Sequence, residues 1–264
     1  MSPILTSEDD PRVGELRRRL NEFYTDTREY RAFTKINKKT EYWNPVTARV
    51  REILGKKPTC DVLEIGAGIT GYANSLQDLR SRVRFVVQDV TSQNEEQLRT
   101  LADEVFIGDV AGISDRFDVI FSTFVFEHVT TPRATLEHLL GMLNPGGSLF
   151  IACPRYGFPL YTPPSARHYG AMRRFMIAGS LAMNRLRSIF SGRPAFVIHI
   201  DPAVFHGSWF RDSDAIHWPS MGDLKKALPD GYGLRHVRIA TGKGLKGWMY
   251  RAFLLLSVEI RREE

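Results

Sequence analysis

From residue 60 onward, short apolar runs alternate with amphipathic stretches. The runs at 60–65, 83–88, 104–107, 117–122 and 148–153 predict strands, and 70–79, 95–101 and 131–143 predict helices between them. Near-continuous apolar strands separated by helices indicate a doubly wound α/β fold with a mostly parallel sheet, buried on both faces. A helix at 221–228 and strands at 234–239 and 248–260 would complete that sheet. Ahead of it, helices are expected over 11–24 and 46–54, the second capped by Asn44 with Pro45 in its first turn. The alternation stops across 154–219, a stretch rich in proline, aromatics and histidine. The chain therefore divides into an N-terminal helical cover (1–55), a core (56–153), an insertion after strand five placed as a substrate lid (154–219), and a closing helix and strands (220–264).

The chemistry-bearing positions gather where these strands end. The first strand carries Glu64 and runs into Gly66-Ala67-Gly68-Ile69-Thr70-Gly71, with glycines at G-x-G-x-x-G spacing. Such a turn lets a nucleoside-bearing ligand approach the backbone closely. Alone, it fits a dinucleotide site, a site for S-adenosyl-L-methionine, or a turn with no ligand. Asp89 ends the second strand, 18 residues after Gly71, followed by Val90. Its carboxylate can accept both ribose hydroxyls of an adenosine, or simply turn the chain. Asp109, after the third strand and beside Val110, can accept the exocyclic amine of adenine under an apolar cover, or be an ordinary loop residue. Glu64 discriminates between ligands, because a carboxylate repels a pyrophosphate and attracts an ammonium or a sulfonium. Ser122 closes strand four, and His128 follows it at the mouth of the expected pocket. A histidine there can take a proton from an attacking hydroxyl. It can equally organise the loop, the role also expected of Glu127.

In this order and spacing the motifs resemble class I, Rossmann-like, S-adenosylmethionine-dependent methyltransferases of the small-molecule (type 11-like) branch. The resemblance rests on 64–71, Val87-Gln88-Asp89-Val90, Gly108-Asp109, 117–122 with Phe126-Glu127-His128-Val129, and the turn Leu143-Asn144-Pro145-Gly146-Gly147-Ser148-Leu149. It covers roughly 42–153 and the two C-terminal strands. It implies a seven-stranded sheet with an antiparallel last strand. It places Glu64 and Gly66 at the methionine part of the cofactor, Asp89 at the ribose and Asp109 at the adenine. The cofactor-binding set it suggests is Glu64, Gly66, Gly68, Gly71, Asp89, Val90, Asp109, Val110 and Ser122, with His128 as candidate base and no metal. Ser122-Thr123-Phe124-Val125 stands where enzymes methylating exocyclic base nitrogens carry an Asn/Asp-Pro-Pro-aromatic element, which argues against a nucleic-acid substrate.

Composition narrows the setting. The 264 residues are 43% hydrophobic, with a formal charge of +6. No run of about 18 uncharged apolar residues is present and the first 20 residues lack an apolar signal core, so a cytoplasmic protein is expected. Cys60 and Cys153 both fall in strands and read as core thiols. The basic charge is unevenly placed, for residues 151–200 hold seven arginines and no Asp, Glu or Lys. Within them 167–190 scans as an amphipathic helix. Ala171, Met172, Phe175, Met176, Ala178, Ala182, Met183, Leu186, Ile189 and Phe190 share one face, and only Ile177 and Leu181 break the pattern. This helix either packs its apolar side on the core, contacts an anionic membrane peripherally, or rims a pocket for an anionic or lipid-linked acceptor. Arg17, Arg18 and Arg19, with Lys35, Lys38 and Lys39, are expected on a solvated face and linker. His199, Asp201, His206 and His217 match no compact ligand spacing and are read as pocket-lining or structural. The expected function is methyl transfer to a small-molecule or glycan-type acceptor, more readily at oxygen. The rivals are an NAD-dependent oxidoreductase and a non-catalytic, membrane-associated cofactor-binding module.

Overall fold

A computed structural model describes residues 4–26, 40–158, 161–240, 242 and 244–263. Lys35, Lys38 and Lys39 fall outside the described residues. In chain order the strands are β1 (Leu5–Thr6), β2 (Cys60–Ile65), β3 (Val83–Asp89), β4 (Glu104–Ile107), β5 (Phe117–Thr123), β6 (Leu143–Pro154), β7 (Ile198–His199), β8 (Tyr232–His236) and β9 (Leu255–Arg262). The α-helices are α1 (Arg12–Asp26), α2 (Asn44–Leu54), α3 (Tyr72–Ser75), α4 (Glu95–Arg99), α5 (Pro132–Gly141), α6 (Ala171–Ser191), α7 (Met221–Ala227) and α8 (Gly244–Met249).

Seven strands form one sheet in the order β4-β3-β2-β5-β6-β9-β8. The first five are parallel to one another, and β9 runs antiparallel between β6 and β8. The doubly wound expectation follows from strand alternation. Val62, Phe85, Val87, Val119 and Phe121 face α2 and Tyr72, whereas Leu63, Ile65, Val86, Ile120 and Ile151 face Leu136, Leu139 and Leu140 of α5. Parallel strands with both faces covered carry all their carboxyl ends to one edge, and the functional loops leave from that edge.

Several expected elements are corrected. The strand expected from 248 begins only at Leu255, and 244–254 is helical. Its partner β6 ends at Pro154, which pairs with Leu255, so earlier residues have no strand to bond and satisfy their backbone groups helically. The helix expected at 70–79 shrinks to Tyr72–Ser75 with tighter turns after it, since Asn74 and Ser75 favour turns over helix interiors. Asn44 is not the cap of α2. Burial of Trp43 (2% exposed) starts the helix one residue earlier, leaving Asn44 and Pro45 in the first turn.

The N-terminal segment is more than a solvated face. Val13, Leu16 and Leu20 of α1 pack on Ile198, Val204 and Ile216 of the insertion, and β1 pairs with β7. Arg17, Arg18 and Arg19 are all exposed, as expected; Arg18 bonds Glu15 and Glu22, Arg17 reaches Thr130 and Thr131, and the Arg19 guanidinium lies 3.6 Å over the Phe205 ring. Of the settings expected for α6, packing of its apolar side on the core is not the one observed. Ile177, Leu181 and Ser188 are its buried residues, while Met172, Phe175, Met176, Met183, Leu186, Ile189 and Phe190 face solvent, Phe190 at 86% exposure. A half-buried arginine fixes that orientation. Arg185 pairs with Asp223 and donates to the carbonyls of Trp218 (2.7 Å) and Gly157 (3.3 Å). No helix among the described residues is long and apolar enough to cross a membrane.

Candidate active site

A cavity of about 510 Å³ opens at the carboxyl edge, between the ends of β2 to β5, α1, and the segment 209–214. Its first end is the glycine turn. Gly66 and Gly68 adopt φ of +61° and +56°, a region glycine enters without steric cost. Gln88 ties this turn to the next loop, accepting from the Gly66 N–H (3.1 Å) and donating to the Gly108 carbonyl (2.6 Å). Asp89 accepts from the Gly68 N–H at 2.7 Å and the Thr91 N–H at 3.1 Å, so its carboxylate holds the turn it borders. Asp109 is exposed and accepts from the Ala111 N–H at 2.9 Å. Val90 presents an apolar side chain, 51% exposed, at the same wall.

The other end is acidic. His128 follows β5 in the short turn Phe126–His128, with its Nδ1 3.4 Å from the Asp214 carboxylate and its Nε2 4.0 Å from Glu127. The backbone carbonyl of Glu127 accepts from the N–H groups of Ile216 and His217, which stitches the insertion to this turn. Tyr24 of α1 donates to Asp214 (2.9 Å), and buried Tyr156 donates to Asp212 (2.6 Å). Two residues on this wall sit at positive φ, Phe124 at +57° and Asp212 at +61°. Left-handed backbone costs an aromatic residue about 1–2 kcal/mol. Phe124 keeps it through an edge-on contact with Tyr42 (4.9 Å) and the Arg211 guanidinium at 5.5 Å.

Charge and burial set the protonation states here. Burial pushes Glu127 up to about 8. Burial alone would lower His128, but the carboxylates of Asp214, Glu127 and Asp212 prevail and raise it to about 9. At neutral pH this end therefore holds an imidazolium facing Asp214. His199 and His217, fully buried, are driven down to about 3 and about 4, burial being the largest cause of each, and remain neutral. Cys60 and Cys153 are free, buried thiols.

Of the residues singled out in the sequence, Gly66, Gly68, Asp89, Val90, Asp109, Val110 and His128 meet around this cavity. Glu64, Gly71 and Ser122 do not line it. Glu64 is fully buried beneath the turn and accepts from the Thr70 hydroxyl. At Gly71 a Cβ would lie 3.1 Å from the Trp43 ring, so that glycine serves helix packing. Ser122 is a buried strand residue paired with Ile65. Gln88, Tyr24, Asp212 and Asp214 escaped the sequence reading. Gln88 stood inside a quoted motif, one residue before Asp89, and was the one of these that could have been found.

The model of the family described as "Methyltransferase domain" matches residues 16–252. Among curated proteins, the malonyl-[acyl-carrier protein] O-methyltransferase of Paenibacillus sp. (strain JDR-2) is 31% identical over 111 residues, covering 38% of this chain and 40% of the relative. The ubiquinone biosynthesis O-methyltransferase of Parvibaculum lavamentivorans (strain DS-1 / DSM 13023 / NCIMB 13966) is 34% identical over 99 residues, covering 34% and 38%. The chain thus spans about two fifths of the length of these curated relatives. Its fold is shared with the plantazolicin methyltransferase BpumL, solved in complex with a monoazolic desmethylPZN analog and SAH, at a TM-score of 0.55 and 13% identity over 96% of this chain and 98% of that one. It is shared too with an S-adenosylmethionine dependent methyltransferase from Mesorhizobium loti, at 0.53 and 14% over 84% and 98%. With the seven-stranded sheet of the class I, Rossmann-like methyltransferase fold, and matched by the family model from within α1 to beyond α8, the chain belongs to the methyltransferase-domain family.

Proposed function

We propose that this chain methylates a hydroxyl oxygen of a small-molecule or glycan-type acceptor, with His128 as the base. The observation that carries this reading is the His128–Asp214 pair on the wall of the cavity. When bound, S-adenosyl-L-methionine supplies an electrophilic methyl group on a sulfonium. The residues present fit that ligand. Nothing lies within 4 Å of where a Cβ on Gly68 would stand, and the turn opens onto the cavity there. Asp89 would hold the ribose, Asp109 the adenine edge and Val90 and Val110 its faces. Glu64, beneath the turn, would act on the methionine part only through the turn itself.

The protein's own work is positional and protonic. A direct displacement needs donor and acceptor held in line. His128 Nδ1 faces Asp214, which leaves Nε2 to take the acceptor's proton, and Asp214 stabilises the imidazolium that results. Tyr24 and Tyr156 fix the Asp214 and Asp212 carboxylates. Both curated relatives are named as O-methyltransferases, which supports oxygen as the acceptor atom. Family membership removes the hydride-transfer alternative.

Calorimetric titration with S-adenosylhomocysteine tests the cofactor half. Asp89→Ala is expected to weaken binding by roughly 1.5–3 kcal/mol, about 10- to 150-fold, through loss of a charge-assisted contact and of the bond that holds Gly68. Unchanged affinity would mean that the ribose lies elsewhere.

The exposed face of α6 supports a second reading, in which the enzyme works at an anionic membrane surface on a lipid-linked acceptor. Seven large apolar side chains project from one helix whose other exposed residues include Arg173, Arg174 and Arg187 and which holds no acid. A solvated apolar face flanked by cations matches an interface of acyl chains beneath anionic headgroups. Arg185 is not part of it, being spent on Asp223. Sedimentation with phosphatidylglycerol vesicles at low salt is expected to carry the wild type down. Phe175→Glu/Phe190→Glu should stay in the supernatant, with S-adenosylhomocysteine binding intact. Equal sedimentation of both proteins, or none of either, would discard the membrane reading.

A further inference from the structure

Apart from the methyl-transfer cavity, the insertion brings together two imidazoles and a carboxylate that no spacing in the sequence links. His168 follows the turn Pro164–Ala166, while Asp201 and His206 flank the turn Ala203–Phe205. His206 Nε2 stands 2.6 Å from one Asp201 oxygen and His168 Nε2 stands 3.7 Å from the other. The two rings stack 4.3 Å apart at 15°, and one ligating atom from each residue falls within 4.8 Å of the others. We propose that His168, Asp201 and His206 bind a divalent transition metal of the zinc class, which clasps the insertion.

The chemistry of the donors points to that class of ion. Two imidazole nitrogens and one carboxylate suit zinc and its neighbours, whereas magnesium and calcium take oxygen-rich sets. Metal-bound residues are usually held by outer hydrogen bonds, and one is present here, Tyr169 donating to the Asp201 carboxylate at 2.6 Å. Drawing the donors to the usual ~2.0–2.2 Å from zinc asks mainly for movement of His206, whose side chain is 44% exposed. Three protein ligands leave a coordination position for water. The two halves so joined lead directly into the segment bearing Trp209, Asp212 and Asp214, so the ion would brace the acidic end of the cavity without touching the reacting groups.

The test uses the tag-free full chain, stripped with chelator and dialysed against micromolar zinc chloride. One zinc per chain is expected, with a higher melting temperature. Tyr169→Phe should weaken binding about 10- to 100-fold, the usual consequence of losing an outer partner, and His168→Ala and His206→Ala at least as much. Metal-free His206→Ala should still bind S-adenosylhomocysteine as the wild type does, which separates lost ligation from lost folding. A second trio, Glu127, His128 and Asp212, falls within the same distance limit, so His128→Ala is the discriminating control and should keep its zinc. A wild type that retains no zinc overturns the proposal. So does a His206→Ala protein that binds as the wild type does, or a His128→Ala protein that alone loses the ion.

Discussion

His128→Ala is expected to lower turnover about 10²- to 10⁴-fold, the usual worth of a positioned general base, while S-adenosylhomocysteine affinity stays within about twofold. The pH profile separates a base from a residue that merely shapes the loop. The carboxylates around His128 raise it to about 9, so the free enzyme at pH 7 holds most of this imidazole protonated. Activity that needs the neutral ring must then climb with pH through an apparent pKa near 9 in kcat/KM. Asp214 is the largest of the charges raising it. Asp214→Asn should therefore move that limb toward lower pH, in the direction of an ordinary imidazole. Stability has the opposite sign. A group raised on folding contributes fully below its unfolded pKa of about 6.5, and that contribution disappears as pH rises through about 9. The wild type should thus lose thermal stability over the same range in which its activity grows, and His128→Ala should lose less. A pH-independent rate between 6 and 9, or a limb that Asp214→Asn leaves in place, would remove the base from the mechanism.

The glycine-turn end of the cavity was legible because strand-end chemistry is local. A buried apolar run followed by Gly66-Ala67-Gly68 can only end in a tight turn at the sheet edge, and Asp89 and Asp109 end the next two strands of the same edge. The acidic end was not, because Asp212 and Asp214 stand in a stretch without periodicity, and Tyr24 comes from a helix some 190 residues away in sequence. The helix α6 shows a different limit. Periodicity correctly marked one apolar face, but amphipathicity does not say which side finds a partner. Ile177 and Leu181 are buried because Tyr156, Tyr169, Val197 and Trp218 provide a surface for them, and the Arg185–Asp223 pair locks that choice. Gly71 and Glu64 stand in the same motif but outside the cavity lining, one packed on Trp43 and the other buried beneath the turn.

Gly66 and Gly68 share a motif and a left-handed φ, yet alanine at the two positions should fail in different ways. At Gly66 a new Cβ would stand 2.5 and 2.7 Å from the two methyl groups of Val125, so the turn could keep its place only by moving the loop after β5. Overpacking of this kind and left-handed strain together cost about 2–5 kcal/mol. For a chain of this size that lowers the melting temperature by roughly 4–20 °C. At Gly68 nothing lies within 4 Å, so only the strain of about 1–2 kcal/mol applies. Its Cβ instead enters the space assigned to the cofactor, and Gly68→Ala should lose S-adenosylhomocysteine binding with a small change in melting. The clash at Gly66 has a built-in check. Val125→Ala removes the opposing methyl groups, so Gly66→Ala/Val125→Ala should melt higher than the sum of the single changes allows, and the double-mutant cycle isolates that contact. Strict additivity would locate the harm in backbone strain alone. A Gly68→Ala protein that binds S-adenosylhomocysteine as the wild type does would place the cofactor away from this turn.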